Sequence, residues 1–327
     1  MLRIIFTERD LTRVRLAGTP DPLWEITNSL DRLQTRRGRW AYAHWYRSTQ
    51  EALTDQSLQR MVTDLLLPLF PRAAYFPDFL TPPAALEGLD AGIDAVLATP
   101  SERVTRELKT LALVHHVPSW GKRLAAGEMR TELDTALRTY HHKVIEPHDE
   151  SIQAAVAADR ALRSRALMRG GVDQLLKSYW PLMRWQYPVL EVQYPYDRTL
   201  HLAGRGLLLS PSYFCWHYPV ALADDELPPM LSYPLLNKAD SDETEPPKPS
   251  TAALLGTTRA AVLQATSEGL TTGEIARRVG IGAPTASHHL TVLRDSGLIA
   301  SRRHQATLLH VLTPLGAALL RQNPRPR

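Results

Sequence analysis

The sequence predicts an α+β protein in two folded parts. The first is a large, mostly helical N-terminal domain with a late antiparallel sheet, and the second is a small C-terminal domain of short helices closed by a hairpin. Three observations carry this. Apolar residues recur at helical spacing through the first two-thirds of the chain, then fall into short strand-like segments from Tyr187 onward. Lys238 to Ser250 reads KADSDETEPPKPS, with four acids, three prolines and no large apolar residue, so it has too little to bury to offset its ordering entropy. Beyond it the charge balance changes. From Ser250 to Arg327 nine arginines and no lysine face Glu268, Glu274 and Asp295, whereas the rest of the chain holds 29 of the 38 basic and 31 of the 34 acidic side chains. These boundaries divide the chain into a domain over 1–237, a linker over 238–250 and a basic domain over 251–327.

Composition excludes several classes. At 44% hydrophobic and 22% charged, the 327 residues can bury substantial cores. No run approaches the roughly 18 apolar residues of a membrane span. Met1 to Asp10 surrounds a four-residue apolar stretch with Arg3, Glu8, Arg9 and Asp10, too short for a signal peptide. A single cysteine, Cys215, excludes an intramolecular disulfide framework and a multi-cysteine metal or thiol sensor. We expect a soluble, cytoplasmic protein without membrane contact. The pI near 9.2 and the basic end point to nucleic acid. With 32 arginines against 6 lysines, no single arginine is informative by itself.

The N-terminal elements follow from caps and period. Asp21-Pro22 offers a cap and a first-turn proline, after which Leu23, Ile26, Leu30 and Leu33 share one helix face. Thr99-Pro100-Ser101-Glu102 opens another helix, with Val104, Leu108 and Leu111 inward. Charged helices are expected over Glu128 to Ile145 and Asp149 to Arg169, the second ended by Gly170-Gly171. Val189, Leu190, Val192 and Tyr194, then Leu200 and Leu202, then Leu207 to Leu209, read as strands between Pro, Asp and Gly.

The chemistry-bearing residues here are few. His115-His116, His141-His142 and His148 lack His-x3-His spacing and a cysteine partner, so no metal site is assigned. Gly204-Arg205-Gly206 lacks the third glycine and following helix of a dinucleotide loop, so no cofactor is assigned. Cys215, within Tyr213-Phe214-Cys215-Trp216, reads as a packed small hydrophobe, and no catalytic residue is assigned. Tyr179 to Tyr218 holds ten of the chain's aromatics in forty residues. That density fits a sheet core first, and second a pocket for a small organic effector touching Trp185, Tyr194, Tyr213 and Trp216.

The C-terminal domain is the most explicit part. Thr271-Thr272-Gly273-Glu274 is a capping box. Ile275, Ala276 and Val279 form the inward stripe of a short helix stopped by Gly280, and Gly282 with Pro284 starts the next. That helix, Ala283 to Ser296, buries Ala286, Leu290 and Leu293 and presents Thr285, Ser287, His288 and Thr291 outward, until Gly297 ends it. Leu298 to Arg303 and Leu308 to Leu312 read as a hairpin with His304 to Thr307 at its tip. The pattern is a helix-turn-helix with a wing.

The string EIARRVGIGAPTASHHLTVLRDSGLIASRR closely resembles the winged-helix core of ArsR-type transcriptional regulators. The resemblance rests on Thr285-Ala286-Ser287-His288-His289-Leu290, Leu293-Arg294, Gly297-Leu298-Ile299 and Arg302-Arg303, and covers Leu254 to Leu320. RDLTRVRLAGTPDPLWEITNSL and LHLAGRGLLLSPSYFCWHYPVAL resemble an actinobacterial subgroup with a long N-terminal domain of unassigned function. The resemblance implies a homodimer on a double-stranded DNA operator. It implies base contacts from Thr285, Ser287 and His288, with Ala283 and Pro284 opening the recognition helix and Arg294 near its end. Thr271 and Thr272 would lie against phosphate, His289 would contact the backbone or pack, and Arg302 and Arg303 would serve the wing. Metal sensing does not transfer, because Glu274-Ile275-Ala276-Arg277-Arg278 stands where metal sensors carry cysteines. His304-Gln305-Ala306 replaces the usual Asp-Gly-Arg of the wing tip. The reading is a non-metal-sensing regulator, under control of a small organic effector if the pocket exists. The alternative is an enzyme or ligand-processing domain fused to a DNA-binding tail.

Overall fold

The computed structural model describes residues 1–39, 41–73, 75–224, 227–235, 254–304 and 307–321. The chain divides into two units, Met1–Thr244 and Glu245–Arg327. The expected linker, Lys238 to Ser250, lies outside the described residues, as do Gln305 and Ala306 of the wing tip.

In the first unit the helix expected after Asp21 starts where its cap predicts. The Asp21 carboxylate accepts from the N–H groups of Leu23 and Trp24 at 3.0 and 3.1 Å, opening the helix Pro22–Thr35. Leu23, Ile26 and Leu30 enter a helical core with Tyr42, Trp45, Leu66 and Leu137. The opposite face of this helix is also buried, and it is polar: Glu25, Asn28, Ser29 and Arg32 are nearly inaccessible. The helix Ser101–Ala112 buries Val104, Leu108 and Leu111, with Pro100 itself at the cap position. The expected helix over 128–145 is the α-helix Arg130–Tyr140, widening into a π-turn over His141–Ile145. Asp149–Lys177 runs through Gly170 and Gly171 with non-helical dihedrals at both. The glycine pair thus ends the first helix at a kink, as expected, and the short helical segment after it delivers Leu175, Leu176 and Tyr179 to a second core.

The α+β class holds, with one change in how the sheet is made. The strands are β1 (Leu2–Ile5), β2 (Arg15–Leu16), β3 (Met183–Gln186), β4 (Val189–Val192), β5 (Arg198–His201), β6 (Leu208–Ser212), β7 (Val220–Ala221) and β8 (Met230–Pro234). They form two four-stranded sheets, ordered β3-β4-β1-β5 and β2-β6-β8-β7. The expected single late antiparallel sheet is therefore two mixed sheets that take strands from the first sixteen residues. β1 pairs antiparallel with β4 and parallel with β5, while β6 pairs parallel with both β2 and β8. The physical reason lies in Leu2, Ile4 and Phe6. They alternate inward and need apolar neighbours on both sides, which only a central position supplies. Both sheets and the end of the kinked helix share one core of Leu2, Ile4, Trp185, Leu190, Leu209 and Tyr233 among others. β8 is buried along its whole length, as expected of a strand covered on both faces. At the turn into β6, Gly206 has φ +78°, and a Cβ there would lie 2.4 Å from the Arg13 carbonyl oxygen, so only glycine fits.

The second unit packs Val262, Leu263, Ile275, Leu290, Leu293, Leu298 and Ile299 into its own core. Its helices are Thr257–Ala265, Thr272–Val279, Ala283–Asp295 and Pro314–Arg321. The helix Thr257–Ala265 starts after Gly256 and closes in a 3-10 turn over Thr266–Glu268. The hairpin is β10 (Ile299–His304) and β11 (Thr307–Leu312), and β9 (Leu270–Thr271) pairs with β11 to complete a three-stranded sheet. Among the described residues no helix is long and apolar enough to cross a membrane.

Candidate nucleic-acid interface

The turn between the two central helices of the second unit is built from backbone needs. Thr271 caps the first: its backbone N–H and hydroxyl donate to the Glu274 carboxylate at 2.8 and 2.7 Å, and its oxygen accepts from the Glu274 N–H at 3.4 Å. Those hydrogen bonds hold the exposed Glu274 carboxyl below its ordinary pKa. Gly280 ends the helix in the left-handed region at φ 74°, and Gly282 caps the next in extended conformation.

That second helix has two faces. Ala286, Leu290 and Leu293, at 0, 3 and 1% exposure, bind it to the core. Pro284, Ser287, His288 and Thr291 recur at helical spacing on the other side and are exposed, flanked by Ala283, Thr285 and Arg294. Short polar side chains, an imidazole and little apolar bulk on an open helix face can enter a major groove and meet base edges. His289 differs from its neighbour. It is half-buried, burial lowers its pKa, nearby Arg259 and His288 add to that, and its Nδ1 has no partner. The structure therefore separates the adjacent histidines, with His288 outward and His289 packed. Arg302 and Arg303 stand on β10 opposite Leu309 and Leu308.

Thr271 and Thr272 sit at the helix start as expected, but their hydroxyls are engaged. Thr271 is committed to the capping box. Thr272 meets Nε2 of His310 at 3.0 Å, while Nδ1 of the same ring meets the Ser301 hydroxyl at 2.9 Å. His310 is 4% exposed, and burial first, then the Arg294 charge, holds it below the usual histidine pKa. It ties the first helix to both strands of the wing. Sequence inspection missed this role, since a lone histidine in a strand carries no signal of it.

The four aromatics expected at an effector site do not all converge. Trp185 belongs to the sheet core, 5.0 Å edge-to-face from Phe6, with its indole N–H on Asp173 at 2.8 Å. Tyr213 packs against the helical core beside Tyr42. Tyr194 and Trp216 do line one cavity of about 220 Å³, which also touches Arg32, Phe76 and Tyr218. Cys215 lines it too, buried, with burial pushing its thiol pKa up, away from nucleophilic character. Of the other histidines, His148 meets Ser48 and packs on His44, and His142 pairs with Glu146.

Residues 257–302 match the family of helix-turn-helix domains. Over 48 residues the chain is 44% identical to the biofilm growth-associated repressors of Xylella fastidiosa strains Temecula1 and 9a5c. The aligned stretch is 15% of this chain and 42% of each repressor, so the chain spans less than half the length of these curated relatives. No solved structure matches the chain significantly. The helix-turn-helix and the repressor likeness support a DNA-binding regulator.

Proposed function

We propose that the protein is a sequence-specific transcriptional regulator of the ArsR-like, non-metal-sensing kind, acting in the cytoplasm as a homodimer on an inverted repeat. The observation that carries the reading is the division of the helix Ala283–Asp295. Its buried stripe is Ala286, Leu290 and Leu293, and its open face offers Ser287, His288 and Thr291. The helix Thr272–Val279 crosses before it and a hairpin follows, an order in which the second helix enters the major groove and the wing approaches the backbone. Thr285, Ser287 and His288 read bases; Arg302 and Arg303 neutralise phosphate. The backbone N–H groups at Thr272 and Gly273, not the Thr271 and Thr272 hydroxyls, face the phosphate at the first helix. Residues 1–237 form a regulatory and dimerisation domain, joined through 238–250 to the DNA-binding domain, 251–327. A small organic effector enters the cavity beside Tyr194 and Trp216.

The test is selection of the full chain against random duplex DNA, followed by footprinting of the enriched sequence. An inverted repeat protected on both half-sites is expected. Recovery of unrelated sequences with no consensus would remove the reading.

A further inference from the structure

Arg32 is a buried cation whose donors are not all used. It is 4% exposed on the polar face of the helix Pro22–Thr35. One nitrogen, Nη2, pairs with the neighbouring Asp31 carboxylate, while Nε and Nη1 are buried and have no acceptor. The other buried polar groups of that face are satisfied. Glu25 accepts from the Ser212 hydroxyl and from the N–H groups of Tyr213 and Phe214 at 2.7 to 3.1 Å, Asn28 donates to Ser212 at 3.0 Å, and Ser29 meets Tyr140 at 2.9 Å. An arginine with three N–H groups left over beside the satisfied Glu25, Asn28 and Ser29 points to an acceptor that arrives from outside the chain.

The place for that acceptor exists. Arg32 lines the same cavity of about 220 Å³ as Phe76, Tyr194 and Trp216, somewhat below the roughly 300–1,000 Å³ of drug-sized sites. Asp78 also lines it, but both its oxygens are taken by the N–H groups of Ala223 and Asp224 at 2.8 to 3.1 Å. Its carboxylate is therefore held on the chain and does not turn to Arg32. The Trp216 wall is fixed from behind. Gly38, at φ +63°, presses on the indole so closely that a Cβ would lie 2.8 Å from it. A fixed aromatic wall beside a buried guanidinium selects a ligand with one flat apolar body and one anionic head.

We propose that this cavity binds a small organic monocarboxylate, its carboxylate on the Arg32 guanidinium and its apolar body among Phe76, Tyr194 and Trp216. Arg32 and Arg37 on the lining stand against Asp31 and Asp78, so no surplus of positive charge favours a dianion such as a phosphate monoester. Binding stands on the cavity alone; only its regulatory consequence rests on the function proposed above.

The test is calorimetric titration of the full chain with benzoate, with phenylacetate, with the corresponding neutral amides and with inorganic phosphate. At least one acid binds about tenfold or more tightly than its amide, because a hydrogen bond to a buried charge is at stake, and phosphate does not compete. Arg32→Met removes the preference for the acid. Ala73→Trp, at an exposed position on the rim, weakens the acid by about tenfold through blocking while thermal unfolding stays cooperative. If Arg32→Met does not fold, Ala73→Trp and the acid–amide pairs decide. Equal binding of acid and amide, phosphate binding as tightly as the acids, no binding of either acid, or acid affinity untouched by Ala73→Trp overturns the proposal. Operator affinity measured alongside keeps the readings apart. An acid that binds without changing DNA affinity removes the effector role and leaves the site, and a chain without sequence-specific DNA binding removes the regulator and leaves the site.

Discussion

His310 and Thr272 are joined across the second unit by a 3.0 Å contact, and the opposite ring nitrogen holds Ser301. One imidazole thus couples the first helix of the helix-turn-helix to the wing. His310→Ala should lower the stability of this unit by about 1–3 kcal/mol, since two buried hydrogen bonds disappear and two hydroxyls keep fewer partners. DNA affinity should fall modestly for specific and random sequences alike, because the substitution removes the side-chain anchor of the wing, keeps the β9–β11 pairing and leaves the base-reading side chains in place. Chemical denaturation and binding on both DNAs measure this; unchanged stability would refute it.

The same ring sets a pH dependence. Burial depresses the folded pKa of His310 below the ordinary histidine value of 6.5. Between the two values the unfolded chain binds the proton and the folded chain does not, so stability rises with pH there. The contribution is complete above pH 6.5 and is lost as pH falls from there through the folded pKa. His289 shifts the same way, so His310→Gln should flatten part of the slope. Denaturation midpoints across mildly acidic pH should show it.

Asp21 predicts the opposite trend for the first unit. Burial raises its pKa to about 7, outweighing the two N–H groups it accepts, and its second oxygen has no partner. A carboxyl whose folded pKa is raised contributes stability that is fully present below the unfolded value of 3.8 and is lost as pH rises through about 7. Asp21→Asn keeps an acceptor for Leu23 and Trp24 and should remove the trend. Urea titrations at about pH 5 and about pH 8, on either side of the raised pKa, would compare wild type with variant. A difference that survives the substitution would assign the effect elsewhere.

Base-reading and phosphate-neutralising residues should separate by salt. Ser287→Ala or His288→Ala should cost about 1–3 kcal/mol at one base position and little on random DNA. Arg302→Ala or Arg303→Ala should weaken every sequence and reduce the salt slope by about one for each phosphate no longer neutralised. Identical effects of both classes on specific and random DNA would contradict the assignment.

Assembly gives a further measurement. One recognition helix covers few base pairs, so a two-fold dimer should place half-sites about 34–36 Å apart or a multiple of that. Light scattering on the full chain should give the mass of two copies, and an asymmetric site bound by one copy would not fit.

The legible parts of this chain are those whose signals are local. Each boundary in the second unit has its own marker within a few residues: Thr271 with Glu274, then Gly280, Gly282 and Gly297. Asp21-Pro22 and the Gly170-Gly171 pair work the same way. What stayed hidden depends on residues far along the chain. Glu25, Asn28 and Arg32 lie at helical spacing and look in sequence like an ordinary solvated stripe, yet the turn after β6 covers them. The aromatic run from Tyr179 to Tyr218 divides between two cores, so adjacency in sequence misjudged which rings share a wall. The parallel pairing of β1 with β5 and of β2 with β6 has no local mark at all.

β1 carries a further consequence, for the order in which the molecule can be made. Leu2 to Ile5 leave the ribosome long before the strands that flank them, Val189–Val192 and Arg198–His201. Neither flank exists until most of the first unit has been translated, so this strand, with Leu2 and Ile4 to bury, must wait, unpaired, through the synthesis of every helix up to Lys177. Most of the helical core can form in the meantime, whereas the sheet core is gated by translation of its last strands. Slowing elongation before residue 189 should therefore lengthen the life of a half-finished chain with an open strand, the species on which a chaperone would act.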